Sequence, residues 1–386
     1  MKSSRSDKIT AKPTPHARPF AGSDRERPSG VHDNTPSTAS GLAGAWSRFW
    51  FAPIDPTGLH VVRVLTGLLL LGWILLTFWG NVASFVGPYG WMDVRAFTEA
   101  SRLPGGELSP GWSVAYLCGG NETALTAFFW GSVAVLVLFT LGILPSVTAV
   151  LTWVVVASFT ANPAFEYEGD ALLLMLTFYL MVGYVLLGQR ALGLSLPARL
   201  LGTLRTWPLA TRNRDDGEPR PSTGANLALR LIQVHLAIVF VTTGLHKLQF
   251  GDWWAGVALW FPLHPPFKTT LVEALANKPY ADTYLALLNV ATYVTLAWQI
   301  GFPLFAWRPR WRIVLLGGAA VGWLATAFVW GLPVVGQALL IGCLSFVSPA
   351  GWQRILGWLP GKSRQQAVGS RQQAGMANPE SVGAVS

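Results

Sequence analysis

Eight apolar segments that can cross a lipid bilayer are the feature of this sequence that most restricts its fold. A helix needs about 20 apolar residues to cross roughly 30 Å of hydrocarbon, because it rises about 1.5 Å per residue. Segments of this kind occupy residues 58–80, 122–143, 146–160, 170–188, 226–246, 283–306, 312–331 and 333–347. They predict an all-α fold, a polytopic helical bundle of about eight transmembrane helices embedded in the lipid bilayer.

The composition agrees with a membrane protein and argues against several other classes. Charged residues make up 12% of the chain and hydrophobic residues 51%, whereas soluble domains carry about 25% charged residues. The two cysteines, Cys118 and Cys343, are too few for a disulfide framework and lack a metal-binding spacing. The sequence also contains no P-loop, no G-x-G-x-x-G, no H-E-x-x-H and no G-x-S-x-G motif. Nucleotide-driven, zinc-dependent and serine-hydrolase chemistries therefore have no basis in the sequence.

The distribution of Lys and Arg predicts how the chain is oriented. Eight precede Gly58, six lie in residues 189–225, three in 307–312 and four after Val347, which gives 21 on one side. The segments on the other side hold five. Cytoplasmic loops carry the excess of positive charge, so we expect both termini in the cytoplasm and a multi-pass location in the plasma (inner) membrane. Because the net charge of +9 follows loop parity, we expect no nucleic-acid partner.

Polar segments flank the membrane domain and define the expected domain boundaries. Residues 1–45 form a basic N-terminal tail that is poor in aliphatic residues and is predicted to be disordered. Residues 46–349 form the transmembrane domain, and residues 350–386 form a polar C-terminal tail.

Ionisable side chains within the apolar segments are the informative ones, because each costs about 2.5–3.5 kcal/mol at mid-depth on insertion scales. Arg63 lies one to two turns into the first segment. It can either reach back to the cytoplasmic headgroups or take an inward structural role, and the sequence does not choose between the two. His60, one turn earlier, is expected at the interface.

The fifth segment is the richest in polar residues. At 100° per residue, Arg230, Gln233, Gly244 and Lys247 share one face. Lys247 lies about 25 Å along the axis from Arg230, which predicts a position at the exoplasmic boundary. From its position alone, Lys247 is either an anchor to the headgroups or a functional amine. Asp170 begins the fourth segment, where a carboxylate favours a helix N-terminus, although it could also face Lys247 across an exoplasmic vestibule.

Three motifs, in order along the chain, resemble those of a known family. The first is Asp55-Pro56 followed by residues 59–64 with Arg63, and the second is Gly169-Asp170 with the Ala-Leu-Leu that follows. The third runs from Arg230 and Gln233 through Gly244-Leu-His-Lys247-Leu248 to Asp252-Trp253 and Gly256. Together they are similar to the horizontally transferred transmembrane (HTTM) domain. This is the membrane domain shared by vitamin K-dependent gamma-glutamyl carboxylases and many bacterial relatives, and the resemblance covers roughly residues 51–349.

The resemblance implies that Lys247 is a catalytic base. In the carboxylases, the lysine at the matching position deprotonates the vitamin K hydroquinone as its free amine. Oxygen then converts that anion into a stronger base, which deprotonates glutamate before carbon dioxide adds. The resemblance makes His246 a neighbour that tunes the base and a reduced quinone such as vitamin K the candidate cofactor. The polar and aromatic positions of the membrane domain that it singles out are Arg63, Asp170, Arg230, Gln233, Asp252 and Trp253.

Several functions remain open on the sequence. An enzyme would carry out carboxylase-like (lyase) chemistry, but we do not expect carboxylation of protein glutamates, because the carboxylases' large lumenal domain has no counterpart after the last apolar segment. A non-catalytic membrane partner in export or maturation of, or immunity to, a secreted peptide is the alternative. A small-molecule transporter ranks lower, since no Asp or Glu falls inside a segment except at its edge.

Overall fold

The computed structural model describes residues 41–100, 112–162, 169–187, 221–263 and 270–357, and in these ranges the chain is helical, with one isolated β-bridge between Ile54 and Ser222. The helices are α1 (Leu42–Phe51), α2 (Thr57–Phe78), α3 (Val82–Val86), α4 (Val94–Ala100), α5 (Val114–Cys118), α6 (Glu122–Leu141), α7 (Pro145–Thr160), α8 (Asp170–Leu187), α9 (Thr223–Lys247), α10 (Gly251–Trp254), α11 (Trp260–Leu263), α12 (Leu271–Leu275), α13 (Ala281–Phe305), α14 (Pro309–Phe328), α15 (Pro333–Leu344) and α16 (Pro349–Gly357). From Ala45 onward the described residues belong to one compact unit. Most of the predicted N-terminal and C-terminal tails lies outside the described residues.

Six of these helices are long and apolar enough to cross a membrane, namely α2, α6, α8, α9, α13 and α14. The prediction of an all-α, multi-pass membrane protein is therefore confirmed at this level. Each of the eight predicted segments contains a helix, but two of these helices are short. The α7 helix has 16 residues and α15 has 12, which correspond to about 24 Å and 18 Å. The α15 helix is followed by α16 after a bend of 112°.

The core of the bundle forms around α2, which packs against α6, α8 and α15. The side chains of Leu59, Val62, Leu70 and Ile74 on this helix are fully buried. Small residues allow the helix backbones to approach closely, as is usual where lipid supplies no hydrophobic drive for association. At the crossing of α8 and α9, for example, a Cβ added to Gly183 would lie 2.7 Å from the Cβ of Ala228.

Arg63 lies inside the core, so the structure favours the inward role over reach to the headgroups. Only 1% of its surface is exposed, and it is among the largest fully buried side chains. Its Cζ lies 5.3 Å from the centre of the Tyr184 ring, a cation–π contact. The Tyr184 hydroxyl and His60 Nδ1 form a hydrogen bond of 2.6 Å. His60 is also buried, which differs from the interfacial position predicted for it.

The turn between α6 and α7 accommodates the Arg63 guanidinium because it contains a glycine. Gly142 ends α6 with φ +77°, and its N–H donates to the carbonyl oxygens of Leu138 and Phe139. A Cβ at Gly142 would lie 2.5 Å from Arg63 Nη1. The guanidinium thus occupies the space next to the last turn of α6, where the helix dipole favours a cation.

We expect Gly142→Ala to destabilise the protein, because alanine is strained at a positive φ and its Cβ would contact the guanidinium. The backbone strain alone is about 1–3 kcal/mol. Gly131→Ala is the matched control, since Gly131 lies in the same helix with no atom within 4 Å of an added Cβ, and it should be neutral or stabilising by up to about 1 kcal/mol. Thermal unfolding in a mild detergent measures both variants. Equal midpoints for the two variants would contradict the packing described for Arg63.

Candidate functional site

Lys247 ends α9 and lies in a small polar and aromatic cluster. Its Nζ donates a hydrogen bond of 2.9 Å to Gln299 Oε1 on α13. The same nitrogen lies 4.5 Å from the centre of the Trp253 ring. Lys247, Gln299 and Trp253 are all half-buried. The amine therefore has a neutral acceptor on one side and an aromatic face on the other.

The turn after α9 brings Trp253 back toward Lys247. Leu248 caps the helix with its N–H bonded to the carbonyl oxygens of Leu245 and His246. The Phe250 N–H donates to the Lys247 carbonyl oxygen at 3.1 Å, so the chain reverses at once into the short α10 helix. The Trp254 Nε1–H donates to the Leu248 carbonyl oxygen at 2.7 Å, which ties α10 to the end of α9.

Two glycines bring this part of the chain against α13. A Cβ at Gly244 would lie 2.9 Å from Ile300 Cγ1 and 3.3 Å from Gln299 Cβ. Gly256 has φ +74°, and a Cβ there would overlap the side chain of Asn289. Because glycine stands at both positions, α9 and the chain after it lie close enough to α13 for Lys247 to reach Gln299.

The contacts of α9 and of the chain after it with α13 show that Lys247 lies far from the start of α13. Phe240 packs on Phe302 with ring centres 4.6 Å apart, and Lys247 then contacts Gln299. Beyond Lys247 the chain continues along α13 in the same direction, since the Tyr293 hydroxyl donates to the Trp254 carbonyl oxygen at 2.5 Å.

One further contact, between Trp260 and Tyr284, shows where along α13 the Lys247 amine lies. The rings of Trp260 and Tyr284 lie 6.0 Å apart, so the chain follows α13 nearly to its first residue, Ala281. Gln299 is only six positions before Phe305, the last residue of α13, or about 9 Å. Lys247 thus lies beside the last third of α13.

The acidic residues named in the sequence analysis do not pair with this amine in the described part of the chain. Asp252 is exposed, and it forms no ion pair with Lys247; its backbone carbonyl accepts from the Val257 N–H at 3.0 Å. Asp170 is the first residue of α8, a position where a carboxylate interacts favourably with the helix dipole. The neighbouring Glu166 and Glu168 lie outside the described residues.

His246 packs on Phe250 and not on the Lys247 amine. It is exposed, and its ring packs edge-on against Phe250 with centres 5.3 Å apart. The structure therefore places His246 next to Lys247 along the chain but gives it no contact with Nζ. Any effect of His246 on the base would pass through the turn that holds Phe250.

Arg230 and Gln233 form a separate cluster at the other end of α9. Arg230 Nη1 donates to Gln233 Oε1 at 2.8 Å, and Gln233 Nε2 donates to the Ser345 carbonyl oxygen at 2.7 Å. The shared face predicted from the sequence is thus directed toward α13 and the end of α15. This face of α9 nevertheless carries two separate clusters. Only the cluster at Lys247 is followed closely in the sequence by Asp252-Trp253.

Gln299 is the site residue that sequence reasoning missed. It lies in the apolar run 283–306, next to Trp298, and an amide side chain in a membrane helix needs a hydrogen-bonding partner inside the protein. That signal identifies Gln299 as a residue of interest but does not say which helix supplies its partner. The pairing with Lys247 depends on the relative shift of α9 and α13, which the sequence does not encode locally.

The arrangement can accept and hold a proton. A lysine amine is a base in its neutral form, and after proton transfer the ammonium would be stabilised by the Gln299 carbonyl and by the Trp253 ring. Among the described residues, no carboxylate forms an ion pair with the Lys247 ammonium. These features suit a reversible proton acceptor at a position shielded by protein.

We expect Gly244→Ala to weaken the contact between α9 and α13, since the added Cβ would meet Ile300 and Gln299. Overpacking of this kind costs about 1–3 kcal/mol. Gly251→Ala, with no atom within 4 Å of an added Cβ, is the control and should leave the midpoint of thermal unfolding nearly unchanged. An unchanged midpoint for Gly244→Ala would show that the two helices do not approach as described.

Comparisons with known proteins assign no function to this site. No family model matches the chain, and no solved structure matches it. Over 204 residues the chain is 24% identical to the uncharacterized protein YitO of Bacillus subtilis (strain 168). That match covers 51% of this chain and 59% of the relative, so the chain spans about three-fifths of the length of the relative it matches. The similarity to YitO is distant and assigns no activity.

Proposed function

We propose that this multi-pass membrane protein is an HTTM-type protein in which Lys247 acts as a base toward a lipid-soluble reduced quinone. The observation that carries the proposal is the environment of the amine. Lys247 Nζ bonds Gln299 Oε1 at 2.9 Å and lies 4.5 Å from the Trp253 ring centre. An anchor to headgroups would extend into water, whereas this amine is turned inward onto α13.

The proposal includes a topology. We place both termini in the cytoplasm of a plasma (inner) membrane, with eight membrane-embedded segments of which α7 and α15 are the short ones. The support is the excess of Lys and Arg in alternate loops, 21 against five. In this orientation the end of α9 that carries Lys247 faces the exoplasmic side, next to the turn that holds Trp253.

The residues around Lys247 fit a flat, apolar quinone ring. Trp254 exposes 64% of its surface, and Tyr293 on α13, whose hydroxyl donates to the Trp254 carbonyl oxygen, exposes 45%. Exposed aromatic surface beside one polar donor and acceptor is typical of sites for such ligands. Trp254 and Tyr293 would hold the ring and its tail, and Lys247 would face a ring oxygen.

A bound reduced quinone would supply an ionisable hydroxyl group and the electrons that reduce oxygen, chemistry that amino-acid side chains lack. Lys247 would accept the proton at Nζ, a task that requires hydrogen-bond reach to the hydroxyl. Gln299 would orient the amine through its Oε1, and Trp253 would stabilise the ammonium through its ring. The surrounding helices would exclude water, which strengthens each of these interactions.

Lys247→Ala is the variant that tests this function most simply. We expect it to abolish oxygen-dependent consumption of a reduced naphthoquinone by the purified protein in nanodiscs. Losing a general base costs about 10²–10⁴-fold in rate. Lys278→Ala is the matched control, because it removes an exposed lysine from the same side and should keep full turnover. Equal turnover by the two variants, both correctly inserted, would refute the role of Lys247.

A non-catalytic membrane partner is the second candidate, and one observation favours it. Of the six candidate spans, α14 is the least buried within the protein, and its apolar face includes Ile313, Val321 and Phe328, each more than 60% exposed. A helix of a membrane partner could cover this face as well as lipid does. Co-purification of one stoichiometric membrane protein, lost in a variant with Val321 replaced by a bulky Trp, would support this role.

A further inference from the structure

Two arginines form a second site, at the opposite end of α9 from Lys247. Arg230 lies on the second turn of α9 and Arg312 on the first turn of α14, and both are half-buried. Gln233 Oε1, to which Arg230 Nη1 donates, also accepts from Trp307 Nε1 at 3.2 Å, and Trp307 lies in the turn five residues before Arg312. This contact brings the start of α14 next to Arg230, and like charges in one cluster repel each other unless an anion lies between them.

Arg230 is held in place by neutral groups. Its Nη1 donates to Gln233 Oε1 at 2.8 Å, and its Cζ lies 4.4 Å from the centre of the Phe49 ring. Gln233 is fixed in turn, because its Oε1 also accepts from Trp307 Nε1 at 3.2 Å and its Nε2 donates to Ser345. The guanidinium is therefore positioned in advance, with no carboxylate of the described residues among its partners.

Each of the two guanidinium groups keeps a donor without a partner. The Nε atoms of Arg230 and Arg312 are buried and form no hydrogen bond within the described part of the chain. A buried donor of a charged group is costly when it is left unsatisfied. One anion with several oxygen atoms would satisfy donors of both guanidinium groups in this cluster.

We propose that Arg230 and Arg312 together bind the phosphate group of an anionic phospholipid. Guanidinium groups match phosphate geometry in bidentate fashion. The aromatic residues around them, Phe49, Trp307 and Trp311, are of the kind found at the membrane–water interface. Both arginines lie at the end of the bundle that the charge pattern assigns to the cytoplasm, the side where basic pockets between helices bind lipid headgroups. This site is independent of the function proposed for Lys247.

Native mass spectrometry of the full-length protein, with equal amounts of dioleoyl phosphatidylglycerol and dioleoyl phosphatidylcholine, tests the site. We expect the wild-type protein to retain phosphatidylglycerol in preference to phosphatidylcholine. Arg312→Gln should weaken phosphatidylglycerol binding about 10- to 100-fold, because a charge-assisted hydrogen bond is lost. Arg230→Gln should act in the same way.

Arg310→Gln is the matched control. It removes the same charge from the same turn of α14, but Arg310 is exposed. It should weaken binding no more than about fivefold, the general effect of one surface charge on an anionic lipid. Equal losses for Arg310→Gln and Arg312→Gln would reduce the effect to surface charge and overturn the site. The lipid preference of the wild-type protein needs no variant, so a variant that fails to fold leaves the test intact.

Three further outcomes would also overturn the proposal. Retention of the two lipids in equal amounts would show that no anionic headgroup is selected. Displacement of the lipid by inorganic phosphate would assign the arginines to a free phosphate ion. Lipid selection that appears only after Asp215, Asp216 and Glu218 are made neutral would assign the arginines to the chain's own carboxylates, which lie outside the described residues.

Discussion

A polar group inside a membrane protein has to find its partners within the protein, and this constraint shapes each informative contact of the structure. Hydrocarbon offers no water to an amine or a guanidinium, so each lies where helices cross or turn. Arg63 occupies the space that Gly142 leaves beside the end of α6, and it packs on Tyr184. Lys247 reaches Gln299 because Gly244 brings α9 close to α13. In both places a glycine makes room for a charged side chain.

The ends of α9 illustrate how one helix can carry two chemistries. Near its start, Arg230 is oriented by Gln233, which also bonds Trp307 in the turn before Arg312. At its end, Lys247 is oriented by Gln299 and covered by Trp253. A fixed cation with unsatisfied donors is suited to binding an anion, whereas an amine with a neutral acceptor is suited to exchanging a proton. The same packing of α9 against its neighbours positions both groups, so changes in that packing should affect both sites.

The sequence predicted the helices well and the contacts between them poorly. Apolar length located a helix in each of the eight predicted segments, six of which are long enough to cross a membrane, because this signal is local. The shared face of Arg230, Gln233, Gly244 and Lys247 also followed from 100° per residue. The position of Lys247 along α13 did not, since it depends on the relative shift of the two helices. For the same reason Gln299 was missed, because nothing in the sequence near it specifies a partner on another helix.

The central claim is that the Lys247 amine is shielded by protein and is reached from the exoplasmic side. The most direct test is the rate at which Lys247 reacts with a membrane-impermeant amine reagent added outside intact cells. The exposed Lys278 provides the internal reference in the same molecule. We expect mass spectrometry to find Lys278 modified readily and Lys247 modified at least about tenfold more slowly, with faster reaction in Trp253→Ala, because Trp253 covers the amine in the structure. Modification of Lys247 as fast as Lys278 would mean an exposed anchor, and modification of neither until the cells are opened would mean the opposite orientation.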